Sequence, residues 1–357
     1  MLKNLRVLYL YAGPRRAFYQ KFKKGLTPDT QLLGLNHMEE FGINAEFLEY
    51  PLAEFLRKVN FNLVHLPYLF SLLRYNVVFI CAGLPLVFLA RYLLGRHRPF
   101  FVIYNTYLNN TLKLNAKGIK GFIVRRAIET IDVIICTAQS QQQSLIDSGF
   151  DPKKVIYQPI GIDNKKFSEA GVLYSPDPSD QYIASAGRDL GRDYKTLFMA
   201  VEDLPIKIKV ATKKETIQGL KIPDNVKVYL DIPYEKMPEF YAKASFVITP
   251  LSSPKQVRGS DTSGQYGYLE PMATGKAVIV SDRGTVRDYI THNQDGWIIP
   301  PEDPEALRKA IELFRQNPQK VEMMGKRAQE KVCQNFSSHQ FAKFLAKIFY
   351  QLSTSRI

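Results

Sequence analysis

Short apolar runs alternate with amphipathic stretches at helical spacing along nearly the whole of this 357-residue chain. That alternation is what parallel sheets with helices on their faces require, because each parallel strand must be followed by a crossover before the next. In the first half, Arg6–Tyr11, Ala45–Glu49, Val77–Cys81, Pro99–Tyr104, Val133–Thr137 and Val155–Gln158 read as strands. Helical spacing appears over Gln31–Phe41, Leu86–Leu94, Lys120–Thr130 and Gln139–Ser148. Residues 168–180 then lose all periodicity around two prolines and two serines, which predicts a linker. The alternation restarts with strands at Tyr182–Ala186, Ile206–Ala211, Val226–Leu230, Phe246–Thr249 and Ala277–Ser281. Helices are expected at Tyr194–Glu202, Met237–Ala244, Tyr266–Thr274 and Thr285–Ile290, then from Pro304 behind an Asp303 cap. Amphipathic stretches at Val321–Asn335 and His339–Leu352 close the chain. The fold class is α/β, with two domains that each bury their own core. Such folds bind ligands at the carboxyl ends of their parallel strands.

Composition narrows the function classes. With 45% apolar and 12% aromatic residues, disorder is excluded. Three scattered cysteines, Cys81, Cys136 and Cys333, form neither a disulfide framework nor a zinc-ligand spacing, and point to a reducing compartment, the cytoplasm. The apolar segment Val77–Leu94 is interrupted by Gly83, Pro85 and Arg91, so it reads as a buried strand, a turn and a packed helix instead of a membrane span. The net charge of +14 is uneven: residues 1–160 hold 20 Lys+Arg against 10 Asp+Glu, the remainder 28 against 24. Within Arg15–Lys24, five cations alternate with three aromatics, a mixture suited to peripheral contact with an anionic membrane and equally to a solvated helix face. No zinc-finger, helix-turn-helix or RNP-like pattern accompanies the charge, which argues against nucleic acid as a partner.

The most informative string is Asp261–Ser281, DTSGQYGYLEPMATGKAVIVS. It is a small polar loop opening a helix that stops at Gly275, then a buried strand. Thr262, Ser263, Gly264 and Gln265 place amides and hydroxyls at a helix N-terminus, where an anion is stabilised, and Gly264 lets backbone approach a ligand. Glu270, about two turns further on, is positioned to accept hydrogen bonds from two vicinal hydroxyls such as those of a ribose.

This string resembles the donor-binding motif of the GT-B glycosyltransferases, in particular the retaining family 4 group: a Glu, seven residues, a second Glu, then Pro-Met-Ala-x-Gly and an apolar strand. Val155–Phe167 is similar to that group's inter-domain signature, Ala184–Ala200 to its first C-terminal strand and phosphate-gripping turn, and Asn225–Leu251 to its base-binding segment. Gly296–Pro301 resembles its domain-closing segment. The resemblance implies a GT-B fold of two Rossmann-like α/β/α domains: residues 1–165, a linker at 166–180, and 181–336, with a helix at about 337–357 returning to the first. It implies transfer of a sugar from a nucleotide-diphosphate donor to a glycan or lipid hydroxyl, with retention and with no metal or other cofactor. Arg188 and Arg192 would neutralise the diphosphate, with Lys195 a third candidate. Thr262–Gln265 and Glu270 would bind the donor, and Gly13, Asn105 and Thr106 would shape the acceptor side. The chain departs from the pattern at Thr262, which stands where the first Glu belongs, and at Tyr104–Asn109, which lacks the group's histidine. Those departures keep open an alternative, a non-catalytic sugar-nucleotide-binding or scaffold protein on the same fold. His37 and His65 read as packed or capping residues.

Overall fold

The computed structural model describes residues 5–354 and divides into two compact units, one of residues 5–161 with 338–354 and one of residues 162–337. Each has its own apolar core. In the first unit β1 (Arg6–Leu10), β2 (Asn44–Phe47), β3 (Val77–Ile80), β4 (Phe100–Asn105), β5 (Val133–Cys136) and β6 (Val155–Tyr157) form one sheet in the order β2-β1-β3-β4-β5-β6. Every pairing is parallel. Its central strands VVFI and VIIC are buried along their whole length, as continuous apolar runs covered on both faces must be.

The second unit repeats the plan. There β7 (Ile183–Ala186), β8 (Ile208–Thr212), β9 (Val226–Leu230), β10 (Val247–Thr249), β11 (Val278–Ser281) and β12 (Trp297–Ile299) are ordered β12-β11-β10-β7-β8-β9, again all parallel. The chain moves one way from β7 to β8 and β9, then returns to lay β10, β11 and β12 on the other side. The crevice between β7 and β10 at their carboxyl ends is therefore the topological switch point of this sheet; in the first sheet it lies between β1 and β3.

Several elements differ from the sequence expectation. The Gln31–Phe41 stretch is not an α-helix but two 3-10 pieces, Thr30–Leu32 and Leu35–Phe41, broken where Leu33 and Gly34 take positive φ of 51° and 84°. At Gly34 a Cβ would sit 2.9 Å from that of Ala342, so the kink lets the Ser338–Thr354 helix approach closely. That helix is tied to the same stretch by Ser338 Oγ to Asp29 (2.9 Å) and Tyr350 Oη to the Phe41 carbonyl (2.8 Å). Residues expected to begin the linker form the Asn164–Leu173 helix, capped by Asp163 and packed so that Gly171 lies against the Thr274 backbone. Only the residues beyond it, through the 3-10 turn Pro178–Asp180, run irregularly. The expected Thr285–Ile290 helix is a single 3-10 turn, Val286–Asp288. The Pro51–Val59 helix and strand β12 carry too short a pattern to be read from sequence. Val77–Leu94 divides into β3, a turn at Gly83 (φ 99°) and the Leu84–Leu93 helix. Among the described residues no helix is long and apolar enough to cross a membrane.

Candidate functional site

Strand β7 ends at Ala186, and the turn Gly187–Arg192 carries the chain to the Tyr194–Val201 helix. This turn is sewn to the end of β10. Arg192 bridges Leu251, the Asp193 amide donates to the Pro250 carbonyl (3.1 Å) and the Ser252 amide to the Gly191 carbonyl (3.0 Å). Asp189 fixes it from the other side, accepting from the amides of Gly191 (2.7 Å) and Ser260 (3.0 Å). Asp193 caps the following helix through Thr196. With both acids engaged this way, Arg192 is turned inward at the switch point.

Its guanidinium lies in a slot between two glycines. A Cβ at Gly187 or at Gly267 would collide with it, so both backbones approach it as only glycine allows. Gly267 belongs to the Gln265–Ala273 helix, whose cap, Gly264, has φ 103°. Arg192 Nε and Nη1 are buried and make no hydrogen bond to the protein. A second guanidinium shares this condition. Arg283, just past β11, is 5% exposed, reaches only Ser252 Oγ at 3.4 Å through Nη1, and leaves Nε without a partner. Burial lowers its pKa and the neighbouring Arg192 charge adds to this, while Asp189 and Asp261 oppose it. A Cβ at Gly191 would meet both Arg283 Nη1 and Ser263 Cβ, and Ser263 Oγ is likewise buried and unpaired. Buried donors are almost always satisfied in folded proteins, so two guanidiniums and a hydroxyl left open together mark a place for an acceptor-rich ligand.

Glu270 projects from the same helix. It is 3% exposed, and its Oε1 accepts from Tyr234 Oη at 2.5 Å. Burial pushes its pKa up to about 8, against the pull of the Tyr234 hydrogen bond and the Arg192 charge. Gln265 Nε2 donates to Tyr289 Oη (3.1 Å), and Thr249 Oγ1 at the end of β10 holds the Gly267 carbonyl (2.8 Å).

The structure thus brings Arg192, Thr262, Ser263, Gly264, Gln265 and Glu270 into one region, with Thr262 and Ser263 both buried. Arg188 is not among them: it is exposed and paired with Asp231 at 2.5 Å. Lys195 is exposed on the outer side of its helix. Arg283 and Tyr234 were missed. An Arg directly after a strand, in Ser281-Asp282-Arg283-Gly284, was the available signal for the first; Tyr234 follows a loop of no pattern. In the first unit Asn105 is fully buried and caps the Leu108–Leu114 helix by accepting from the Leu108 amide (2.9 Å), while its Nδ2 donates to Asn109 Oδ1 (2.9 Å). That corrects its expected acceptor role, because the polar end of β4 is used up in holding the next helix. Thr106 is half-buried beside it. Gly13 borders a cavity of about 250 Å³ with Tyr11, Glu49 and Arg57. A larger cavity, about 1010 Å³, lies at the amino ends of β7 and β11 beside Lys276, whose pKa burial lowers to about 8. It is at the opposite end of the sheet from Arg192 and Glu270. Among the described residues no group of three or more His, Cys, Asp and Glu is arranged to hold a metal ion.

Comparison with known proteins bears on the family resemblance and the fold. Residues 208–331 match the family model described as glycosyl transferases group 1, spanning β8 to the helix Pro318–Asn335 and including Tyr234, Glu270 and Arg283. The D-rhamnosyltransferase WbpZ of Pseudomonas aeruginosa is 37% identical over 71 residues, 20% of this chain and 19% of that protein. The amylovoran biosynthesis glycosyltransferase AmsK of Erwinia amylovora is 27% identical over 144 residues, 40% of this chain and 35% of that protein. The matched segments therefore span about a fifth and about a third of those relatives. Among solved structures, Anabaena HepE with UDP and glucose superposes with a TM-score of 0.68 at 14% identity, covering 97% of this chain and 99% of that one. Sucrose-phosphate synthase of Thermosynechococcus elongatus does so with 0.70 at 16% identity, covering 99% and 100%. The fold is GT-B.

Proposed function

We propose that the protein is a glycosyltransferase that moves a sugar from a nucleotide-diphosphate donor to a hydroxyl of a glycan or lipid, with retention of configuration as in the family 4 enzymes it resembles. The observation that carries this reading is the pair of guanidiniums, Arg192 and Arg283, with buried, unpartnered N–H groups at the switch point beside the N-terminus of the Gln265–Ala273 helix. A diphosphate supplies the missing acceptors, and Glu270, further along the same helix, is placed to accept from a ribose. Names of relatives point the same way: UDP and glucose accompany HepE, and both curated relatives are named as glycosyltransferases.

The chemistry follows from charge. As the bond between the anomeric carbon and the diphosphate oxygen breaks, negative charge grows on the leaving diphosphate. Hydrogen bonds from Arg192 and Arg283, and from the first turn of the helix, strengthen in step with it. The acceptor hydroxyl attacks the anomeric carbon from the leaving-group face, and its proton passes to a diphosphate oxygen. Because the guanidiniums meet the phosphate charge, this route asks for no metal ion. We place the enzyme in the cytoplasm, at the membrane periphery.

The test is a donor screen in which wild type and Arg192→Ala are incubated with UDP-, GDP- and ADP-sugars and released nucleoside diphosphate is measured, with and without membrane lipid extract. Slow release by wild type with one base, lost in the variant, is expected. Nucleotide binding without release or transfer under any condition would instead establish the non-catalytic reading, which Thr262 in place of a carboxylate favours.

A further inference from the structure

We propose that the first unit docks on an anionic lipid bilayer through a helical face built from residues 51–126, a site independent of the donor reaction and different from the Arg15–Lys24 stretch. Between Pro51 and Glu129 the chain holds eleven Lys and Arg against two acids, Glu54, engaged by Arg57 at 2.5 Å, and Glu129, which pairs with Arg125 and Arg126 at 3.3 and 3.2 Å. One of the eleven, Arg98, is buried against Asp132. This segment therefore carries a net of +9 out of the +10 of residues 1–160.

Its helices also expose the wrong side chains for water. On the Gly118–Glu129 helix the outward positions are Ile119, Phe122 and Ile123, followed by Arg126, at the spacing of one helix face. Ile119 is 81% exposed and Phe122 61%, with the Arg126 guanidinium 5.3 Å from the Phe122 ring. A surface helix ordinarily turns such residues inward; here Ala127 and Ile128 do that, and a second apolar stripe remains outside. The helix packs beside Leu84–Leu93, which exposes Leu93, and Leu108–Leu114, which exposes Leu114. Leu84–Leu93 in turn packs on Leu66–Arg74, where Phe70 is 78% exposed. The exposed apolar residues thus sit on elements that pack against one another, and their number exceeds the isolated hydrophobes normal on a soluble surface.

Charge identifies the occupant. Exposed apolar side chains on a segment rich in Lys and Arg match an anionic bilayer, where rings and aliphatic groups enter the interface and cations meet headgroup phosphates. A second copy of the chain would set two strongly cationic faces together. Nucleic acid would take up the cations but give Ile119 and Leu114 nothing to stack on. By contrast the Arg16–Lys23 helix is poorly placed for this role: its Tyr19 packs edge-on against Phe47, and Glu49 accepts from the Arg15 and Arg16 amides.

The experiment is co-sedimentation of the full chain with vesicles of phosphatidylcholine alone or mixed with phosphatidylglycerol, across a salt series. Wild type is expected to pellet with the mixed vesicles, to release as salt rises, and to bind pure phosphatidylcholine roughly tenfold less. Ile119→Glu/Phe122→Glu is expected to lose binding, as is Lys117→Glu/Lys120→Glu, which alters only exposed cations and serves should the first variant fold poorly. Met323→Glu, on an exposed site of the second unit, is expected to bind as wild type does. Failure of wild type to pellet, or full binding by both variants, overturns the proposal. So does a wild-type dimer that the apolar substitutions convert to monomer. Nucleotide release is read on the same preparations, so a negative here leaves the donor assignment standing.

Discussion

The two sheets share a plan and differ at their switch points. In the first, the crevice between β1 and β3 is closed from within: His65, 1% exposed, contacts the carbonyl of Tyr11 at 2.9 Å and that of Ala82 at 3.1 Å, joining the two strand ends. Its buried guanidinium, Arg98, is also complete, held by both oxygens of Asp132 at 2.7 and 2.8 Å. In the second, the equivalent crevice contains Arg192, and Arg283 lies nearby, each with buried N–H groups unmet. The same architecture thus yields one sheet whose switch point is bridged by His65, although Tyr9 Oη and Arg15 Nε in that unit are also buried and unpaired, and one sheet where two guanidiniums and the Ser263 hydroxyl are left open together. Fold alone does not distinguish the two crevices; the accounting of donors and acceptors does.

Breaking the open site should have the largest effect. Arg192→Ala removes a contact that strengthens as the diphosphate leaves, and is expected to lower the rate of nucleoside diphosphate release by about 10²–10³ with the fold intact. Arg283→Met should lower it by less, roughly tenfold, since its loss removes one charge-assisted contact. His65→Gln in the closed crevice should leave nucleotide affinity unchanged and reduce stability instead. Equal losses of release in Arg192→Ala and His65→Gln, measured on proteins of matched thermal midpoint, would show that the contrast between the crevices has no functional content.

A smaller effect, and one with a pH signature, is expected at Glu270. Its pKa of about 8 lies above the ordinary 4.5, so the folded protein holds the proton over an interval in which the unfolded chain has released it. The contribution of this group to stability is complete below pH 4.5 and declines as pH rises toward 8. Trp297, the single tryptophan, lies in the same unit and reports its unfolding. Wild type should show the decline by Trp297 fluorescence and Glu270→Gln should not. Nucleoside diphosphate affinity should move oppositely, rising as the carboxylate ionises, and should be weaker by about tenfold and independent of pH in Glu270→Gln. A pH-independent affinity in wild type would remove Glu270 from ribose recognition.

How far the sequence revealed this contrast depends on the kind of signal. Long apolar runs such as VVFI and VIVS state their strand character outright because both faces of a parallel sheet are covered. Asp303-Pro304 announces a helix because cap and first turn are local chemistry. The Gln265–Ala273 helix and Glu270 were legible for the same reason, since loop, helix and strand are consecutive. Arg283 was not, because its significance depends on Ser252 and Gly191, which are brought to it by β7 and β10, not by its neighbours in sequence. Arg188 shows the converse: a guanidinium after Gly187 is well placed in sequence, yet it is exposed and paired with Asp231, just past β9. The Gln31–Phe41 pattern looked helical because apolar spacing cannot report the approach of Ala342 from the far end of the chain.

That last contact supplies the smallest prediction and the sharpest check that the units respond separately. His37 sits between Asp29 and Glu40, each 3.0 Å from one ring nitrogen, and Asp29 also accepts from Ser338 at the start of the returning helix. Burial alone would lower the His37 pKa, but the hydrogen bonds and charges of the two carboxylates outweigh it, and the net shift is upward. For a base raised in this way, the stabilisation is fully present below the ordinary value of 6.5 and is lost as pH climbs through the raised one. The Ser338–Thr354 helix should therefore be held most firmly in mild acid and exchange its amides faster as pH rises, after correction for intrinsic exchange. His37→Gln should abolish that dependence at a cost of about 1 kcal/mol. Trp297 unfolding should be unaffected by the substitution, because the ring and both carboxylates belong to the first unit. A shift in the Trp297 transition of His37→Gln would mean that the units do not unfold independently, and the stability contrast between them would have to be replaced by a single coupled transition.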